Sequence, residues 1–239
     1  KIKYAIHTAD AIPPPIGWLQ NGPFYRGLKL LMKKYLKDVD GFFSTNREML
    51  NYQLQTFKQK PNLITNIIYN PGFDIPLNLS IKESSNYIYT GGIYGVRKAD
   101  QVIKAFLKLQ EIYPETELHF IGTQLNQEAL LSIKNNTKIK IFPFTKNLVP
   151  FYEKAIALID IDADIENDVF ISSKMPNYLQ INRFIISQTG RNSPSRNLFK
   201  DIDSIIQCDH NSEQILNAMK KCQELKHSIQ FNDRNGVIE

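Results

Sequence analysis

From residue 87 onward, short apolar runs rich in β-branched and aromatic residues alternate with stretches whose apolar positions recur at helical spacing. The first such pair is the clearest. Tyr87, Ile88, Tyr89 and Thr90 run into the Gly91-Gly92 break, a short loop carries Arg97 and Lys98, and Val102, Ile103, Phe106 and Leu107 then share one helical face. The same reading gives strands over 87–91, 117–121, 138–142, 156–160, 184–187 and 204–208, with helices over 99–113, 124–134, 147–154, 174–181 and 212–225. Six strands alternating with helices at this spacing predict an α/β fold: a doubly wound, Rossmann-like parallel sheet with helices on both faces.

The earlier part reads as a strand over 1–7, a helix over 24–36, a strand over 41–45, a helix over 47–57 capped by Asn46, and a strand over 66–69. Pro13, Pro14, Pro15 and Gly17 forbid helix between the first two. After Asn70-Pro71-Gly72 the composition turns polar, which places a domain boundary there: 1–76 a partial Rossmann-like domain, 77–86 a linker, 87–239 a second domain. Lys29, Lys33, Lys34 and Lys37 form the polar face of the helix over 24–36; a solvated face is the simpler reading, contact with a membrane surface or an anionic acceptor the other.

In a doubly wound sheet the ligand lies outside the carboxyl ends of the strands, so the loops 91–98, 122–123, 143–146, 162–174 and 188–195 carry the candidate site. Gly91 and Gly92 let backbone approach a ligand, and Arg97 and Lys98 add charge suited to a diphosphate, although no G-x-G-x-x-G or Walker loop is present. A net charge of +5 comes from dispersed lysines instead of blocks, so nucleic acid is not supported as a partner, while a nucleoside diphosphate or an anionic membrane face fits. Cys208 and Cys222 match no zinc spacing and read as reduced thiols of a cytoplasmic protein. No apolar run reaches transmembrane length, and no catalytic triad or metal-ligand cluster competes for the site. The missing initiator Met predicts a piece of a longer chain.

Taken in order, TGG with RK and VIKAF, then ETELHFIG, IKIFPF with LVPFYEKAIALI, and SSKMPNYLQINRFIIS resemble the donor-binding half of a GT-B nucleotide-sugar-dependent glycosyltransferase of the mostly retaining kind. The preceding FFSTNREML and IIYNPGFD resemble the end of the acceptor-side half. The resemblance implies that Lys98 and Arg97 neutralise the donor diphosphate behind Gly91 and Gly92, that Phe144 faces the base, and that Ser172, Ser173 and Lys174 hold phosphate or sugar. It implies acceptor-side roles for His7 and Asp10, and neither metal nor cofactor beyond the nucleotide-sugar co-substrate.

The main departure concerns acids. Where relatives carry a second glutamate on the ribose, Asn177 stands, which can hydrogen-bond a hydroxyl without a charge. Asp168 is a candidate for the earlier acid, but Asp160, Asp162, Asp164, Glu166 and Asp168 together read as a solvated loop whose members repel one another. The implied activity is sugar transfer to a glycan or lipid-linked saccharide in bacterial-type polysaccharide biosynthesis, cytoplasmic, with room for peripheral attachment at the inner membrane face. A non-hydrolysing nucleotide-sugar epimerase and a catalytically degenerate nucleotide-sugar-binding subunit are the alternatives.

Overall fold

The computed structural model describes residues 3–18, 22–58, 63–72, 77–81 and 83–234. Its first part is a small parallel sheet in the order β1-β2-β3, made of β1 (Ala5–Thr8), β2 (Gly41–Ser44) and β3 (Ile64–Ile67) and connected by α1 (Pro23–Leu36) and α2 (Arg47–Phe57). Met32, Leu36, Phe42, Leu50 and Phe57 close its core. The start of α2 follows from its cap: Asn46 Oδ1 accepts a 2.8 Å hydrogen bond from Met49 N, one of the donors that a first helical turn leaves unpaired. The predicted strand over 66–69 begins instead at Ile64, because pairing with β2 runs from Gly41↔Ile64 to Ser44↔Ile67. Ile68 and Tyr69 beyond it are exposed.

The second part alternates as the apolar runs predict: β4 (Asn86–Thr90), α3 (Asp100–Gln110), β5 (Leu118–Ile121), α4 (Gln127–Ile133), β6 (Ile139–Phe142), α5 (Val149–Lys154), β7 (Ala155–Ile161), α6 (Met175–Leu179), β8 (Phe184–Gln188), α7 (Pro194–Leu198), β9 (Ile205–Cys208) and α8 (Ser212–Leu225). All six strands are parallel, in the order β6-β5-β4-β7-β8-β9, so the predicted fold class holds. Strand side chains alternate between two cores. Tyr87 and Tyr89 pack with Val102, Phe106 and Met219, whereas Ile88 between them packs with Met175, Tyr178 and Ile185. Burial on both faces is why these strands read as continuous apolar runs.

Several boundaries move for local reasons. α3 stops before 113 where the N–H of Ile112 turns back only three residues, to Leu109 O at 2.9 Å, and the regular four-residue ladder tightens. α4 starts after 124 because Asn126 caps it, accepting from Ala129 N at 2.8 Å. α6 is shorter than 174–181 because Ile181 leaves the helix to form a parallel bridge with Leu77. α7 fills part of what reads as a polar loop; PSRNL has no apolar period to announce it.

The predicted linker is strapped to the larger sheet. Arg183, fully buried, donates to the carbonyls of Tyr152, Leu79, Asn182, Ser80 and Glu153 at 2.8–3.2 Å. Burial lowers its pKa to about 10, and carbonyl dipoles take the place of a counterion. Asn86, read as the last linker residue, already belongs to β4. Residues 1–2 of the predicted first strand, residue 82, and residues 73–76 at the predicted boundary lie outside the described residues.

Candidate functional site

Strand order reverses between β4 and β7, and the chain leaves both strands at one edge of the sheet. There Gly91 adopts φ +95°, a left-handed conformation that side chains disfavour, and a Cβ on it would stand 3.4 Å from Lys174 Cε. Its carbonyl accepts from Thr123 Oγ1 at 2.6 Å and its N–H donates to Ile121 O at 2.8 Å, which fixes the turn. Lys174 Nζ lies 3.4 Å from Ser172 Oγ and 5.0 Å from the centre of the Tyr89 ring. Among the described residues no carboxylate comes within 4 Å of it.

A carboxylate nevertheless lies in the same neighbourhood. Asp160, next to last in β7, is fully buried; its Oδ2 is 3.4 Å from Ser187 Oγ and its Oδ1 has no hydrogen-bond partner among the described residues. Burial raises its pKa, against the attraction of Lys174 and with the repulsion of Asp162. A cation without an ion-pair partner beside a poorly satisfied buried acid marks this edge as a place where a charged ligand would change the balance.

A second cluster joins the two sheets. Asp162 Oδ1 accepts hydrogen bonds from Arg97 Nε and from Ala163 N, both at 2.9 Å, and lies 2.9 Å from Arg97 Nη2 as an ion pair, while its buried Oδ2 has no hydrogen-bond partner among the described residues. The Arg97 guanidinium lies 4.9 Å from the Trp18 ring centre and 4.8 Å from that of Tyr94. Trp18 in turn donates its indole N–H to Asp168 Oδ1 at 2.9 Å and meets Phe170 edge-on. Burial and the charge of Asp162 push Asp168 up to about 6, against the Trp18 hydrogen bond and those from Val169 N and Phe170 N. Arg97, Trp18, Tyr94 and Phe170 line a cleft of about 440 Å³ between the sheets, together with Asp10, Tyr25 and Leu28.

The acidic run therefore departs from its reading as a solvated loop. Asp164 and Glu166 are exposed, but Asp160, Asp162 and Asp168 are buried. The expected repulsion is present, since Asp162 raises both neighbours, but partners from distant parts of the chain hold the buried members in place.

Of the predicted site residues, Gly91, Ser172 and Lys174 come together at the strand switch. Gly92 follows with its carbonyl on Tyr89 Oη at 2.8 Å; Ser173 is exposed, and Asn177 is half-buried on α6. Phe144 is 76% exposed, close against Gly122, a turn glycine at φ +69° beside Thr123, so its ring is free to meet a ligand. Arg97 and Asp10 share the cleft, whereas Lys98 is exposed and does not line it. His7 is exposed on β1, level with Phe43 of β2. The sequence reading passes over Trp18, the single Trp of the chain, and takes Asp160 and Asp162 only as members of a solvated acidic run. Among the described residues no group of three His, Cys, Asp or Glu could hold a metal ion.

Neither a family model nor a curated protein matches the sequence. Solved structures do match its shape. HepE of Anabaena, crystallised with UDP and glucose, superposes with TM-score 0.72 at 11% identity over 99% of this chain and 66% of its own. TarM of S. aureus gives 0.68 at 10% identity over 99% and 47%. The pneumococcal O-GlcNAc transferase GtfA, with UDP and GlcNAc, gives 0.60 at 14% identity over 87% and 42%. The chain thus spans 42–66% of the lengths of these three proteins. At such identities the likeness is one of architecture, and the chain has the GT-B fold of nucleotide-sugar-dependent glycosyltransferases.

Proposed function

We propose that the protein is a glycosyltransferase that moves a sugar from a nucleoside-diphosphate sugar to a glycan or lipid-linked saccharide, with retention of configuration. The observation that carries this is Lys174, whose Nζ has no ion-pair partner among the described residues and whose Cε packs against the turn of Gly91, where a diphosphate can approach backbone. The complexes of HepE and GtfA with UDP support a uridine donor.

As the glycosidic bond to the donor breaks, negative charge grows on the departing diphosphate. Lys174 stabilises that charge, assisted by the exposed Lys98, and the low polarity of a half-buried position strengthens the effect. Ser172 orients the Lys174 ammonium, Phe144 offers a face to the base, and Asn177 accepts or donates to a ribose hydroxyl. Arg97 acts differently: its charge is already balanced by Asp162, so with Asp10 it lines the cleft in which an acceptor rests. No metal enters this reading.

The commitment of Arg97 to Asp162 also favours a second reading, a subunit that binds nucleotide sugar without turning it over. Incubation with UDP-sugars and a pool of saccharide acceptors, followed by mass spectrometry, separates the two. Transferred sugar, lost in Lys174→Ala, supports the transferase; nucleotide binding without any transferred sugar supports the subunit. Conversion of the donor with no acceptor present would instead indicate an epimerase.

A further inference from the structure

Lys174 shares its surroundings with a carboxylate that is poorly offset. Asp160 is wholly buried in β7, and its Oδ1 has no hydrogen-bond partner among the described residues. Its Oδ2 meets the hydroxyl of Ser187, its register partner on β8, at the long distance of 3.4 Å. A buried carboxylate with so little support is costly as an anion unless a cation stands near.

The groups around Asp160 leave one cation to fill that part. Arg97, from the loop before α3, is already bound to Asp162 at 2.9 Å, and Asp162, just past the end of β7, repels Asp160. Tyr89 of β4 and Tyr178 of α6 also sense it, but burial, to which Asp160 adds, holds both phenols neutral. Lys174, ahead of α6, has no carboxylate within 4 Å among the described residues and attracts Asp160 from farther off. Ser172 serves both groups: its hydroxyl lies 3.4 Å from Lys174 Nζ, and its side chain favours the Asp160 anion. Burial drives the Asp160 pKa upward; Lys174 pulls it back, Asp162 pushes it further, and Ser172 and Arg97 pull it back. A diphosphate at the Gly91 turn draws on the same ammonium and brings negative charge of its own. Both effects disfavour the Asp160 anion.

We propose that Asp160 is a positioning residue for the donor: its charge holds Lys174 in the free protein, and it takes up a proton from the buffer when a nucleoside-diphosphate sugar engages that lysine. The proposal rests on the assignment of the diphosphate to Lys174. In the complex Asp160 keeps its proton to higher pH than in the free protein. Affinity therefore strengthens as the pH falls through that interval, by at most about tenfold per pH unit. A residue needed for packing alone produces no such slope.

Calorimetric titration of the whole chain tests this, in two buffers of different ionisation enthalpy, between about pH 5 and about pH 8. UDP-glucose and UDP-N-acetylglucosamine are the probes, because neither has a terminal phosphate, whose second ionisation near about pH 6 would exchange protons of its own. The heats should differ between buffers in the sense of proton uptake, by up to about one proton per molecule bound, and Kd should rise with pH. Asp160→Asn, of the same shape without the charge, should give equal heats in both buffers and a flat Kd. Asp168→Asn, which removes the other raised acid of the region, should leave the uptake in place. Thermal melts establish that both variants fold, and the unaltered chain is decisive by itself if one does not. Binding without proton uptake, uptake that persists in Asp160→Asn, or uptake that vanishes in Asp168→Asn overturns the proposal and leaves the diphosphate site standing. No heat with either probe removes that site and this proposal with it.

Discussion

Arg97 presents two nitrogens, Nε and Nη2, to a single oxygen of Asp162, both at 2.9 Å, while the other Asp162 oxygen lies buried with no hydrogen-bond partner among the described residues. The side chains are 10% and 2% exposed, so neither charge has water to fall back on. This pair, with Trp18 stacked on the guanidinium, joins the end of β7 to the segment before α1.

Arg97→Ala should therefore destabilise the fold by about 3–5 kcal/mol, the penalty for stranding a buried charge. Arg97→Met with Asp162→Leu should recover much of that loss, because the stranded charge goes with its partner. Urea denaturation of the single and double variants checks both statements.

Asp168 gives the stability a pH dependence of known sign. Its folded pKa, about 6, lies above the ordinary value of 3.8, so between these the native state holds a proton that the unfolded state has released. Stability contributed by this group is present below about pH 4 and is lost as the pH rises to about 6. Asp168→Asn keeps an acceptor for the Trp18 indole and removes the titration. Melting temperatures of the variant should lose the part of the slope that falls in this window, while an unchanged slope would assign it to another group.

Two glycines should respond in opposite directions. A Cβ on Gly190 would collide with Ile165 O, a backbone atom of the acidic segment between Asp164 and Glu166. Gly190→Ala should cost at least about 3 kcal/mol, the upper end for an overpacked interior. Gly27, inside α1, has no neighbour within 4 Å of such a Cβ. Gly27→Ala should stabilise by about 1 kcal/mol through helix propensity. Thermal melts of the pair decide.

The parts of this fold that could be read from the sequence are those whose cause is local. Asn46 and Arg47 mark the start of α2 because the capping side chain acts three residues away. The strands from β4 to β9 announce themselves through burial on both faces. The buried acids could not be read in this way. Asp162 is held by a residue 65 positions away and Asp168 by one 150 positions away, and nothing in the local run of alternating acids separates them from the exposed Asp164 and Glu166. Lys174 could be named from its Ser-Ser-Lys context; its packing against Gly91 depends on two strands meeting at the switch.

Calorimetric titration with UDP of the protein and of Lys174→Ala tests the central claim most directly. The account predicts a saturable exothermic binding to the unaltered chain, weakened about tenfold or more in the variant, as expected for loss of one charge-assisted contact to phosphate. Equal UDP affinity in the two proteins, with the variant folded, would contradict the assignment of the diphosphate to Lys174 and the strand switch.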